Sequence, residues 1–139
     1  MLLNHFFVDC FPVNEYNISH ILEEGVRMKD FPDFMKNKLN RISPSQQNTP
    51  DIDGYYYEGA DGSQICFWTY FSDRESKENI HEFDEYVICV CGEYVEIFNE
   101  EEHILHSGDE LLIPKRTLHH GRVTKGTRTI HAFGGKRII

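Results

Sequence analysis

The chain has 139 residues, 40% of them hydrophobic, and carries a formal charge of −9 from 23 acidic and 14 basic residues. That length makes one ordinary domain and not two independent cores; ten Phe, seven Tyr and one Trp supply a core without cross-links. The acidic balance argues against a nucleic-acid surface, where affinity rests on phosphate neutralisation by Lys and Arg, and no stretch approaches the length of a membrane span.

The first residues, MLLNHFFVDCF, show neither a basic leader nor a small-residue cleavage site, so the expected location is the cytoplasm. Within them LLNHFFVDCF reads as a strand able to cover a sheet edge in its own chain or in a second copy. In NISHILEEGVRMKDF, Ile18, Ile21, Leu22 and Val26 recur at helical spacing, Asn17 can cap, and Pro32 stops the run. A second short helix is predicted over DFMKNKLNRI, with Phe34, Met35, Leu39 and Ile42 on one side. Ser43 to Asp53 (SPSQQNTPDID) is polar with two prolines and reads as a surface connector. Residues 1–53 are thus expected to form an extension packed on a main domain of residues 54–139.

From Gly54 the texture changes to short strands between turn residues: GYYYEGADG, SQICFWTYFS, NIHEFDEYVICVCG, EYVEIFN, EEHILHSGD, ELLIPKR, LHHGRVTKG and TRTIHAFGG. This cadence, with turns at Asp61-Gly62 and Ser107-Gly108-Asp109, predicts an all-β sandwich or barrel. In the third segment, residues of equal parity share a face, so Asn79, His81, Phe83, Glu85, Val87, Cys89 and Cys91 line one side. Phe83, Val87 and the cysteines mark that side as the inner one. A carboxylate there costs several kcal/mol in lost hydration unless something offsets it. A bound cation, protonation, or a hydrogen-bonded histidine would each do so.

These residues resemble the cupin superfamily. Its first motif, G-x5-H-x-H-x3/4-E-x6-G, is followed from His81 through Glu85 to Gly92, and its second, G-x5-P-x-G-x2-H-x3-N, by Gly108, Pro114 and His119. Asn79 stands for the first histidine of the first motif, Arg116 for a glycine and Val123 for the asparagine of the second; the leading glycine of the first is absent. The resemblance implies a jelly-roll (double-stranded β-helix) barrel preceded by a short helical segment. It further implies a divalent metal held by His81, Glu85 and His119, with Asn79 as a fourth ligand or its place taken by water. Two imidazoles and a carboxylate suit Fe, Mn, Ni or Zn. Glu85 hydrogen-bonded to His81 or His119 in a metal-free barrel is the alternative.

On the last strand, His131 shares a face with Thr127, Thr129 and Phe133; if that face is inward, His131 is an acid or base candidate beside the metal. Arg128 has the opposite parity, so at most one of the two lines a pocket on an unbulged strand. Gln64, Trp68, Tyr70 and Phe83 are pocket candidates. His120 is expected outside, and His103 and His106 exposed or at an edge. The four cysteines are read as small buried hydrophobes and not as a disulfide framework. Two functions follow from the resemblance: a metal-dependent enzyme acting on a sugar or small organic acid, by isomerase, decarboxylase or dioxygenase chemistry, or a cupin that binds a small molecule without catalysis. By the same resemblance the protein pairs as a homodimer.

Overall fold

The computed structural model describes residues 28–47 and 51–139. The predicted helix from Asn17 and the strand-like start lie outside these residues, apart from the end of the helical run. Nine strands form the body: β1 (Ile52–Glu58), β2 (Gln64–Tyr70), β3 (Arg74–Glu75), β4 (Glu85–Cys91), β5 (Tyr94–Phe98), β6 (Glu101–Leu105), β7 (Glu110–Ile113), β8 (His120–Val123) and β9 (Arg128–Phe133). They make a five-stranded sheet in the order β1-β2-β9-β4-β7 and a four-stranded sheet in the order β3-β8-β5-β6. All pairings are antiparallel. The long connections pass from one sheet to the other, which is how a jelly roll closes its core between two layers.

Alternation along the strands builds that core. Val87 and Cys89 from β4, Cys66, Trp68 and Tyr70 from β2, and Tyr94, Leu105, Ile113, Val123 and Phe133 from the other strands are buried between the sheets; a bulge after Cys89 sets Cys91 opposite Arg128 and outside this cluster. Ile138 closes one end. A second cluster lies on the outer face of the larger sheet, where Phe31 covers Tyr55 and Phe67 with Met35, Val90 and Ile130 around it. The segment before the barrel therefore seals the outside of β1, β2 and β9.

Turn residues do what their backbone angles demand. Gly62, Gly108 and Gly126 sit at φ 86°, 90° and 88°, and Asn99 and Glu100, both at positive φ, form the two-residue connection between β5 and β6. Gly92, at φ 90° between β4 and β5, also packs so closely on Thr127 that a Cβ would overlap its side chain.

Three expectations are corrected. The predicted second helix is two 3-10 turns, Asp33–Met35 and Lys38–Asn40. Asn37 between them is extended (ψ 135°) and caps the second turn by accepting from the Leu39 amide, which breaks the helical register. Phe34 and Leu39 consequently stand 77% and 91% exposed while Ile42 is fully buried. The predicted strand from Asn79 is ladder structure only from Glu85. Residues 79–84 instead pack along the turn before β8: Asn79 forms an isolated bridge with His119, the Arg116 amide donates to the His81 carbonyl, and the Lys115 amide to Asp84. Finally, Cys91 is disulfide-bonded, whereas Cys66 and Cys89 are free and buried, as read for them.

Candidate metal centre

Glu85 is the first residue of β4 and only 4% exposed. Two imidazoles converge on its Oε1: His119 Nε2 at 3.3 Å and His81 Nε2 at 3.6 Å. The donor atoms of His81, Glu85 and His119 all lie within 4.8 Å of one another, a grouping that can hold a metal ion. His81 arrives from the irregular stretch before β4 and His119 from the residue before β8; the backbone bridge between Asn79 and His119 ties the two approaches together.

Each side chain is held from behind. His119 Nδ1 lies 2.8 Å from the Thr117 carbonyl; a carbonyl only accepts, so Nδ1 carries a proton and Nε2 is the nitrogen turned to Glu85, a donor to it in the protonated ring and a metal ligand in the neutral one. The His81 ring stacks on Phe83, centroids 5.1 Å apart and planes 7° from parallel. Glu85 Oε2 accepts from His131 Nδ1 at 2.8 Å. His131 Nε2 lies 3.0 Å from the Thr129 hydroxyl, and Thr129 in turn 3.3 Å from the Tyr70 hydroxyl. The result is a buried chain, Tyr70–Thr129–His131–Glu85, running from the centre of the larger sheet to the carboxylate.

Charge follows from these contacts. Burial is the largest influence on Glu85 and pushes its carboxyl up, but the hydrogen bonds and charges of His119 and His131 outweigh it and bring the group down to about 2. Burial likewise works against the charged form of His119, and there the Glu85 bond and the Thr117 carbonyl prevail, raising it. His81 is lowered, burial overcoming the pull of Glu85. The Cys66 and Cys89 thiols are pushed up to about 12 by burial, which leaves them unreactive as nucleophiles.

The three donors form part of the wall of a cavity of about 70 Å³ between the sheets, lined also by Trp68, Tyr70, Tyr94 and His131. Trp68 and Tyr70 thus reach the space expected of them. Gln64 does not: its Oε1 accepts from the amides of Arg137 and Ile138, and its Nε2 donates to Glu58 and the Ile138 carbonyl. Its whole capacity fastens the C-terminal segment across the barrel. Phe83 belongs to a shallower groove beside the mouth. Asn79 lines the cavity, and its amide nitrogen donates to the Lys77 carbonyl. Parity holds on β9: His131 is inside, and Arg128 is buried on the outer face, its guanidinium 5.0 Å from the Phe31 ring and bonded to the Met28 carbonyl. His120 pairs with Glu75 and His106 with Glu93, both away from the cavity.

Sequence reading missed Glu96 and Arg74. Glu96 is 1% exposed, lines the cavity, and neither carboxyl oxygen has a hydrogen-bond partner. Burial, then the nearby Glu85 charge, push its carboxyl up to about 8. In EYVEIF it alternates with Tyr94 on one face, so parity alone would have placed it inside.

No family model matches the sequence, and no curated protein matches it. Solved structures do. A cupin superfamily protein of Desulfitobacterium hafniense aligns at 17% identity over 59% of this chain and 75% of its own, with a TM-score of 0.55. KdgF of Halomonas sp. aligns at 18% over 63% and 81%, with a TM-score of 0.57. Salicylate 1,2-dioxygenase of Pseudoaminobacter salicylatoxidans aligns at 12% over 63% of this chain and 26% of that much longer one, again at 0.57. The chain has the cupin fold: a small β-barrel of two antiparallel sheets with a His/Glu/His grouping inside it.

Proposed function

We propose that the protein binds a divalent metal through His81, Glu85 and His119 and uses it to hold a small polar molecule, a sugar or a small organic acid, in the barrel. The observation that supports this best is the convergence of both imidazole Nε2 atoms on one oxygen of a buried carboxylate. Like the facial triad, the set has two nitrogens and one anionic oxygen, and three donors leave coordination positions open. The fit extends to the outer shell: the Thr117 carbonyl fixes the His119 tautomer, and His131 orients Glu85, the arrangement that metal-ligating side chains require.

A bound cation would supply Lewis acidity toward a carbonyl, hydroxyl or carboxylate, or, as iron, a site for dioxygen. The chain's own residues do the rest. Trp68 and Tyr94 present ring edges to His131, at centroid separations of 4.9 and 5.4 Å, and keep its imidazole in place. His131 then acts as the positioning residue for Glu85, with Thr129 and Tyr70 behind it as a path for a proton. Isomerisation, decarboxylation and dioxygenation remain open chemistries, since fold does not choose among them.

A second reading has an observation of its own: Glu85 is already matched by histidines at both oxygens, so the carboxylate is offset without a cation. In that reading the barrel is a metal-free binding module. Elemental analysis of protein purified without tag or chelator, beside His119→Ala, separates the two. Near-stoichiometric Fe, Mn, Ni or Zn in the wild type and none in the variant is the expected outcome. A wild type that arrives empty and takes up none of these ions on addition establishes the metal-free module instead.

A further inference from the structure

Two polar groups in the same cavity take no part in the metal grouping and keep buried polar atoms without a hydrogen-bond partner. Glu96, on β5, has both carboxyl oxygens buried and unpartnered; Arg74, on β3, has a buried Nη2 without a partner. Both line the cavity. Buried polar atoms of native proteins are almost always satisfied, and one left unsatisfied costs stability unless a ligand or water completes it. The local backbone keeps this arrangement open. Glu96 lies opposite Gly121 on β8, and Gly121 has no Cβ where the Tyr94 hydroxyl crosses it.

We propose that Arg74 and Glu96 form a ligand subsite for a small hydroxy acid, the Arg74 guanidinium taking its carboxylate and the Glu96 carboxyl its hydroxyl. The guanidinium favours a carboxylate because that pairing is charge-assisted and geometrically matched. A sugar without an acid group would leave Arg74 unpaired, so the subsite chooses the organic acid from the two substrate classes named above. The cavity volume of about 70 Å³, at ~10–15 Å³ per enclosed water-sized centre, suits a ligand of about five to seven non-hydrogen atoms. This inference rests on the reading of the cavity as the ligand site and not on the metal.

The test is calorimetric titration of four probes of similar size into the purified protein, as isolated and after metal loading. Lactate and 3-hydroxypropionate carry both groups, propionate lacks the hydroxyl, and 1,2-propanediol lacks the carboxylate. The wild type is expected to bind the two hydroxy acids at least about tenfold more tightly than either control. Arg74→Met should abolish the advantage over propanediol, and Glu96→Leu the advantage over propionate. With no ligand present at pH 8, Glu96→Leu, or Glu96→Gln if the leucine variant fails to fold, should melt at a higher temperature than the wild type, because the orphaned carboxyl is gone. Equal affinity for all four probes, binding of none, or a lower melting temperature for both Glu96 variants overturns the subsite. Metal content is read on the same samples: protein that holds metal but shows no hydroxy-acid preference sinks this inference alone, and protein that shows the preference yet takes up no metal on loading sinks the metal reading alone.

Discussion

Arg116 shows how a single residue can keep a motif's geometry while losing its letter. The second cupin motif has glycine there, and Arg116 adopts φ 63°, the left-handed conformation that glycine tolerates and an L side chain pays for. Its amide still donates to the His81 carbonyl at 2.7 Å, so the turn that delivers His119 beside His81 survives. Arg116→Gly is expected to stabilise the protein by up to about 1 kcal/mol in urea denaturation, the relief of left-handed strain being partly offset by chain entropy. The lost pair with Glu82 is exposed on both sides and adds little; Arg116→Ala, which keeps the strain, should show no gain. Glu96 gives a pH signature. Its folded carboxyl lies near 8 against an ordinary 4.5, so the folded chain holds more protons between those values. Its favourable contribution is therefore complete below about 4.5 and is lost as the pH rises through about 8. Burial sets the upward shift and the Glu85 charge adds to it, while the His119 charge and the Tyr94 hydroxyl oppose it. The stability of the wild type relative to Glu96→Gln should accordingly fall across that window, by at most about 1.4 kcal/mol per pH unit. Denaturation midpoints taken at several pH values check this; a flat difference would mean that the carboxyl is not buried as described.

At the scale of elements, the segment before the barrel behaves differently from its sequence pattern. Four apolar residues at helical spacing do not make a helix here, because the extended Asn37 divides the run into two turns. Only Ile42 of its far end reaches the core, where it is fully buried and its amide bonds the Gly54 carbonyl. Ile42→Ala is expected to cost about 2–5 kcal/mol, as a core truncation and not a surface change. A loss below half a kcal/mol in chemical denaturation would show that this segment is detached from the barrel in solution. The strands follow their sequence more closely, since alternation is forced wherever one face is buried. The exception is the stretch from Asn79, whose parity is right for His81 and Glu85 although no ladder runs through it until Glu85.

For the molecule as a whole, the two sheets of the described residues have β1, β7, β3 and β6 at their edges, and exposed edges invite pairing. Leu112 on β7 is 57% exposed, and Ile104 on β6 is 53% exposed. The expected state in dilute solution is a homodimer, so light scattering should return twice the mass of the chain. A single-chain mass would mean that the edges are covered within one copy. Among the described residues no helix is long and apolar enough to cross a membrane.

Much of the fold could be read from residue order because its causes are local: turn glycines, alternation of apolar side chains, and the spacing of His81, Glu85 and Gly92 or of Gly108, Pro114 and His119 all act over a few residues. The parity of β9 likewise put His131 and Arg128 on opposite faces, but which of the two faces inward was decided by the sheet that covers them. What only the tertiary structure decided depends on which strands become neighbours. That Gln64 spends its amide on the C-terminal segment, that His131 grips Glu85, and that Glu96 and Arg74 face one cavity are facts of tertiary placement. Residues far apart in the chain meet there through the fold, and no short-range pattern encodes the meeting.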